Sequence, residues 1–77
     1  MKFAKVFDLE NDEQVLVVKD YDNDEEEDIV TVSTDFETAR VAMTYRFKNE
    51  EIQQKMFDSF DMESAERFRN AMSLKFL

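Results

Sequence analysis

The sequence predicts an α+β fold, in which four antiparallel strands are followed by two helices that pack on one face of the sheet. Two observations support this prediction. Before residue 48, apolar and polar residues alternate with a period of two in several segments, which is typical of half-buried strands. After residue 48, apolar residues recur at helical spacing instead. The 77 residues suffice for one domain, so we expect residues 1–77 to form a single unit.

The first two predicted strands form a hairpin. Residues Lys2–Leu9 alternate as a strand, and residues Gln14–Asp20 form a β-branched run that is apolar on both faces, as in a central strand. The four residues 10–13 between them make a hairpin loop. Because the chain has no glycine, we expect Asn11 or Asp12 to adopt the left-handed conformation that such a loop requires.

The third and fourth predicted strands follow a charged loop at Asp22–Asp28, which like-charge repulsion should keep solvated and mobile. Ile29–Thr34 is a short third strand, and a turn around Asp35-Phe36-Glu37 leads to the fourth. The fourth strand, residues 38–47, has the clearest alternation. One face carries Ala39, Val41, Met43, Tyr45 and Phe47, and the other carries Thr38, Arg40, Ala42, Thr44 and Arg46.

The C-terminal third predicts two helices. Asn49 is a good N-cap for the first, and acidic residues in its first turn favour the helix dipole. Its predicted apolar stripe is Ile52, Met56, Phe57 and Phe60. A break near Ser59–Asp61 separates the second helix, for which either Ser59 or Asp61 can be the N-cap. Its predicted stripe is Ala65, Phe68, Met72 and Phe76.

The sequence leaves open which face of the sheet the helices cover. We predict that one face carries Ala4, Val6, Leu16, Val18, Val30 and Val32. Without helices over it, this face would be an exposed apolar patch and a dimer interface.

The composition excludes several functional classes. Without cysteine or histidine, the chain has no Ser-His or Cys-His catalysis, disulfide or ordinary zinc site. Without glycine, it has no glycine-rich phosphate loop. No apolar run reaches the roughly 20 residues of a membrane span, and the N-terminus lacks the apolar stretch of a signal peptide. We therefore expect a cytoplasmic protein without a cofactor or metal.

The negative charge is concentrated in one segment. The whole chain has a net charge of −9, whereas residues 8–28 hold eleven acids and one base, a charge of −10. We call Asp8, Glu10, Asp12 and Glu13 the first acidic cluster. The second acidic cluster is Asp20, Asp22, Asp24, Glu25, Glu26, Glu27 and Asp28. The clusters lie at opposite ends of the second predicted strand, seven residues or about 20 Å apart.

Four interpretations of these charges are possible. The spacing Asp20-x-Asp22-x-Asp24 begins like an EF-hand, but Glu25 and Thr31 stand where that loop needs Gly and Glu. Carboxylate catalysis requires burial that raises one pKa, which a solvated loop does not provide. In a third interpretation the acids serve solubility alone, although solubility does not require their concentration in one segment. Alternatively, carboxylates on a rigid strand can replace phosphates in front of Lys and Arg side chains.

The last interpretation is the one we adopt as the leading hypothesis. The short cysteine-free chain, its isoelectric point near 4.3 and the dense cluster Asp20–Asp28 resemble the small acidic proteins that bacteriophages encode against host systems. That class includes DNA mimics, anti-restriction proteins and anti-CRISPR proteins. The resemblance implies a non-catalytic inhibitor that binds a basic, nucleic-acid-binding host protein through both acidic clusters and binds no nucleic acid itself. The alternative is a homodimeric structural protein whose acids only confer solubility.

The basic side chains of the fourth strand form a further candidate. Arg40, Arg46 and Lys48 are a weak nucleic-acid site next to so many acids. We expect them to pair with acids on neighbouring strands or on the solvent side of the sheet.

Overall fold

The structure, a computed structural model, describes residues 3–36 and 39–76. Its elements are β1 (Ala4–Asp8), a short 3₁₀ turn (Glu10–Asp12), β2 (Gln14–Asp22), β3 (Glu27–Phe36), β4 (Ala39–Phe47), α1 (Glu50–Ser59) and α2 (Met62–Phe76). The four strands form one antiparallel sheet in chain order, and the helices follow, so the predicted α+β fold is confirmed. Three predicted strand or turn residues, Lys2, Glu37 and Thr38, lie outside the described residues.

One face of the sheet, which we call the covered face, packs against both helices. Val17 pairs with Lys5 on β1 and Val32 on β3, and directly paired residues share a face. The core consists of Val15, Val17, Val30 and Val32 from the sheet with Phe57 from α1 and Ala65, Phe68 and Met72 from α2. The four valines have 0% exposed surface. Burial of this kind stabilises the fold by about 1.5–3 kcal/mol for each large side chain.

The prediction for the opposite face, which we call the open face, is wrong for Val30 and Val32. Because Val17 pairs with Val32, these two residues of β3 lie on the covered face. The open face receives Ile29, Thr31 and Ser33 from β3 instead. The predicted positions of Ala4, Val6, Leu16 and Val18 on one shared face are confirmed. The alternation within β3 is predicted correctly, but the sequence does not determine the register of β3 against β2.

Turn and cap residues follow local side-chain chemistry. Asp12 has φ 61°, so the left-handed residue is one of the two predicted. Asn49 caps α1, since its Oδ1 accepts from the Ile52 amide at 2.9 Å. The N-cap of α2 is Asp61 rather than Ser59, and its Oδ1 accepts from the Ser64 amide at 2.9 Å. This bond to the Ser64 amide lowers the pKa of the Asp61 carboxyl.

The face of α1 that meets the sheet differs from the predicted stripe. Met56, Phe57 and Phe60 pack in or against the core, but Ile52 is 50% exposed, so the prediction for Ile52 is wrong. Gln53 is buried in its place. Its side-chain amide donates to the carbonyl oxygens of Asp20 and Ile29, at 2.8 and 2.9 Å. A polar residue can lie there because its amide nitrogen finds two acceptors. In α2, Ala65, Phe68 and Met72 are buried as predicted; the side chain of Phe76 lies outside the described residues.

Two lysines fix α1 over the sheet. Lys5 donates to the carbonyl oxygen of Phe57, close to the C-terminal end of α1 where positive charge is favoured. Lys19 donates to the side chain of Gln54. Both ammonium groups lie near the Phe57 ring, 4.7 Å from its centroid for Lys5 and 5.5 Å for Lys19. The Phe57 ring therefore combines burial with two cation–π contacts.

Candidate partner-binding surface

The two acidic clusters lie at opposite ends of β2, as predicted. β2 has nine residues rather than the seven predicted, but it includes Asp20 and Asp22 of the second cluster, so Asp8, which pairs with Gln14, and Asp20 are six residues or about 20 Å apart. This separation is about twice the Debye length of about 8–10 Å at physiological salt. Each cluster therefore presents its own local field, and the strand between them holds their spacing.

The second acidic cluster is built on a tighter turn than the predicted loop. β2 continues through Asp22 and β3 begins at Glu27, and these two residues pair with each other. The turn is thus residues 23–26, and the prediction that Asp22, Glu27 and Asp28 belong to a loop is wrong. Asp22 Oδ1 accepts from the amides of Asp24 and Glu25, at 3.0 and 3.3 Å. Glu26 closes the turn with φ 56°. An Asx-type bond of this kind orders the turn without glycine.

One arginine partly neutralises the second acidic cluster on the open face. Arg46 Nη1 lies 2.9 Å from Asp22 Oδ2 and 3.5 Å from Glu27 Oε1. The hydrogen bond from Arg46 lowers the pKa of the Asp22 carboxyl, and the backbone amide of Glu25 adds to this effect. Asp22 and Glu27 are therefore partly satisfied within the protein. By contrast, the side chains of Asp24, Glu25 and Glu26 are exposed and make no ion pair within the described residues.

A second arginine on the open face behaves in the same way at the opposite end of β4. Arg40 donates to both carboxylate oxygens of Asp35, at 2.8 and 3.1 Å. This contact lowers the pKa of the Asp35 carboxyl. The predicted pairing of strand-four bases with neighbouring acids is thus confirmed for Arg40 and Arg46.

The first acidic cluster is attached to α2. Arg69 of α2 donates to Glu13 Oε2 at 2.5 Å and stacks over the Phe36 ring, 5.0 Å from its centroid. Asp8 accepts from the Gln14 side chain at 2.7 Å. Glu10 and Asp12 lie in the exposed 3₁₀ turn. Glu13 is therefore already paired inside the fold, whereas Asp8, Glu10 and Asp12 are exposed.

A groove of about 630 Å³ runs between the first acidic cluster and α2. It is lined by Asp8, Leu9, Glu10, Glu13, Met62, Glu66, Arg69 and Asn70. No sequence pattern joins Glu66 to this cluster, because Glu66 lies more than fifty residues from it along the chain. Glu66 lines the groove because α2, which carries it, is held beside the 3₁₀ turn by the contact between Arg69 and Glu13.

The acids are not distributed equally over the two faces of the sheet. Asp8, Asp20, Asp22 and Glu27 lie on the open face, as strand register requires. Asp28 lies on the covered face, because it pairs with Tyr21 and Phe47. Asp24, Glu25 and Glu26 lie in the turn at the end of the sheet. The exposed anionic surface of the second acidic cluster therefore consists of this turn and the adjoining open face.

Comparison with known proteins identifies no relative, since no protein-family model, curated protein or solved structure matches the chain. In the residues that the structure describes, neither helix has the length and apolar character needed to cross a membrane. The same residues contain no group of three acids arranged to hold a metal ion. Function has to be inferred from surface charge, exposure and shape.

Proposed function

We propose that this protein is a non-catalytic inhibitor, whose acidic surface takes the place of a nucleic-acid backbone on a basic host protein. The two acidic clusters would be its contacts, with the second cluster as the main one. Its site of action would be the host cytoplasm, and its origin a bacteriophage, as the class resemblance implies. It would compete with DNA or RNA for the partner and bind neither itself.

The observation that carries this proposal is the state of Asp24, Glu25 and Glu26. These three carboxylates are exposed on an ordered turn and make no ion pair within the described residues; Arg46, whose charge also acts on Glu25, is bound to Asp22 and Glu27. Such charges can approach Lys and Arg side chains without first breaking an internal ion pair. Because the turn is held by the Asp22 carboxylate and the sheet, their positions are largely fixed before binding, which lowers the entropic cost of association.

Two separate patches suit a partner that normally follows a phosphate backbone. A nucleic-acid-binding protein distributes its Lys and Arg side chains along a groove, and the resulting affinity falls steeply with salt. Two anionic patches about 20 Å apart can engage two parts of such a groove at once. A single soluble acidic tail would not fix this spacing.

The alternative of a homodimer with merely solubilising acids has one observation in its favour: both helices of the described residues pack on the covered face and leave the open face uncovered. Sedimentation at several protein concentrations separates the two proposals. Only the alternative requires a dimer.

The proposal is tested with a charge-neutralised turn. We would combine Asp24→Asn, Glu25→Gln and Glu26→Asn, choosing Asn at position 26 because it tolerates a positive φ. The control combines Glu51→Gln, Asp58→Asn and Glu63→Gln, three exposed acids on the helices, and changes the net charge equally. Both proteins and the parent are immobilised and exposed to nuclease-treated bacterial extract at about 50 mM and 500 mM salt.

The parent and the control should retain the same nucleic-acid-binding protein at low salt and release it at high salt. The turn variant should retain much less of it. Added DNA or RNA should displace the retained protein from the parent. Equal retention by the turn variant and the control would remove this turn from the proposal. Recovery of no nucleic-acid-binding protein by the parent would overturn the proposal as a whole.

A further inference from the structure

The open face has an apolar centre between charged ends. Its apolar members are Ala4, Val6, Leu16, Val18, Ile29 and Ala42. Val6 pairs with Leu16, and Ala4 pairs with Val18, so these side chains lie next to one another across β1 and β2. Val6 is 53% exposed. The polar groups of the centre are small hydroxyls, among which Thr31 and Thr44 hydrogen-bond each other at 3.4 Å.

The charge of this face argues against a second copy as its occupant. Within the four strands, five carboxylates lie on the open face (Asp8, Asp20, Asp22, Glu27 and Asp35) against two arginines (Arg40 and Arg46), a net charge of −3. Two such faces packed together would bring like charges into a desolvated interface, which costs several kcal/mol. A positively charged partner would instead be attracted by the same carboxylates.

The exposed area is large enough for one interface. The chain exposes 5586 Å², whereas a folded monomer of this size is expected to expose about 4,900 Å². The excess of roughly 700 Å² is comparable with the share of about 800 Å² that one protein contributes to a standard interface.

We propose that the open face docks a protein surface that carries apolar or aromatic side chains between Lys and Arg side chains. This inference rests on the proposed function and adds the partner's chemistry. Protein grooves that hold single-stranded nucleic acid combine aromatic side chains, on which bases stack, with a basic lining for the backbone. The open face offers an apolar centre in place of the bases and carboxylates at its ends in place of the phosphates.

The test uses two synthetic heptapeptides of equal charge. Each has two lysines at either end, and the centre is Phe-Tyr-Phe in one and Ser-Asn-Ser in the other. Binding is followed by NMR titration of the ¹⁵N-labelled protein at low salt, for the parent, for Val6→Thr and for the control Ile52→Thr. Val6 and Ile52 are similarly exposed, at 53% and 50%, but Ile52 lies on α1 and not on the open face.

The aromatic peptide should bind about tenfold more tightly than the polar one, because burial of apolar surface adds to charge attraction. It should shift the amide signals of Val6, Leu16 and Val18 as well as those of the turn. Val6→Thr should remove most of the tenfold difference, and Ile52→Thr should leave it unchanged.

The possible failures can be told apart. Equal binding of both peptides, with shifts only at the acidic turns, would overturn this inference and leave the proposed function standing. Absence of binding by either peptide at low salt would count against the proposed function itself. A concentration-dependent dimer that Val6→Thr dissociates would assign the open face to a second copy and overturn the inference.

Discussion

The two faces of the sheet are made from the same four strands, yet they have different roles. The covered face buries four valines at 0% exposure beneath both helices. The open face keeps Val6 half exposed and places its charged side chains at the two ends. In this protein, stability therefore depends on the covered face, while much of the open face and the adjoining turn are exposed.

The largest effect is expected where α1 meets the covered face. Phe57→Ala removes a ring that is 2% exposed and lies between Lys5 and Lys19. The expected loss is about 3–5 kcal/mol. A domain of 77 residues typically has about 4–12 kcal/mol in total, so the variant should unfold at a much lower urea concentration than the parent. Urea denaturation followed by circular dichroism measures this. Ile52→Ala on the same helix is the control, and a Phe57→Ala protein as stable as that control would contradict the division between the faces.

The second largest effect concerns the buried polar contact between α1 and the sheet. Gln53→Glu places a carboxylate against the carbonyl oxygens of Asp20 and Ile29, where the amide nitrogen now donates. A buried charge without a partner should cost about 3 kcal/mol at pH 7. Because burial would raise the pKa of the new carboxyl, the loss should shrink as the pH falls towards 4, where the group is protonated. Gln54→Glu is the control, since Lys19 lies beside it. Equal denaturation midpoints for the two variants would contradict the role of Gln53.

The sequence predicted the element types well because each element carries its own periodicity. The alternation in β4 and the caps at Asn49 and Asp61 are local signals, and the structure contains all of them. The position of Gln53 was not predictable, because a glutamine next to Ile52 looks like a surface residue in any helical pattern. Only the meeting of two strand carbonyl oxygens under α1 makes it a buried donor.

A third prediction compares the two faces directly with one substitution. Val32→Thr and Val6→Thr both exchange a methyl group for a hydroxyl of the same size and keep a β-branched side chain, so strand propensity changes little. At Val32 the hydroxyl is buried without an evident partner and should cost about 1–3 kcal/mol. At Val6 the change should stay within about 0.5 kcal/mol. Thermal unfolding of both variants measures the difference, and similar losses would mean that the open face is also part of a packed core.

The candidate surface was predictable in its charge and only partly in its geometry. The separation of the acidic clusters follows from their positions at the two ends of β2, and the structure shows the same separation. The pairing of Glu13 with Arg69 depends on how α2 crosses the sheet, and no local pattern carries that information. The assignment of Val32 to the covered face likewise depends on the register between β2 and β3. In an apolar run such as Val15-Leu16-Val17-Val18, neither register nor face can be determined from alternation.

The smallest effect tests the ion pair that moderates the charge of the open face. Arg46 lowers the pKa of the Asp22 carboxyl below its ordinary value of 3.8. Because the folded-state pKa is the lower one, the associated stability is complete above about pH 4 and is lost as the pH falls through the folded-state value. Arg46→Gln should therefore raise the titration midpoint of Asp22 in a ¹³C-carboxyl NMR titration and slightly weaken the fold at neutral pH.

Asp35 is an internal control for the Arg46→Gln experiment, since its pKa is lowered by Arg40 and not by Arg46. Its midpoint should not move. The Asp22 midpoint should rise only part of the way to the ordinary value, because the amides of Glu25 and Asp24 still donate to this carboxylate. An unchanged Asp22 midpoint would mean that the turn amides alone hold it. In that case Arg46 would remain free to meet a partner's carboxylate, and the open face would be less selective for basic surfaces than its charge indicates.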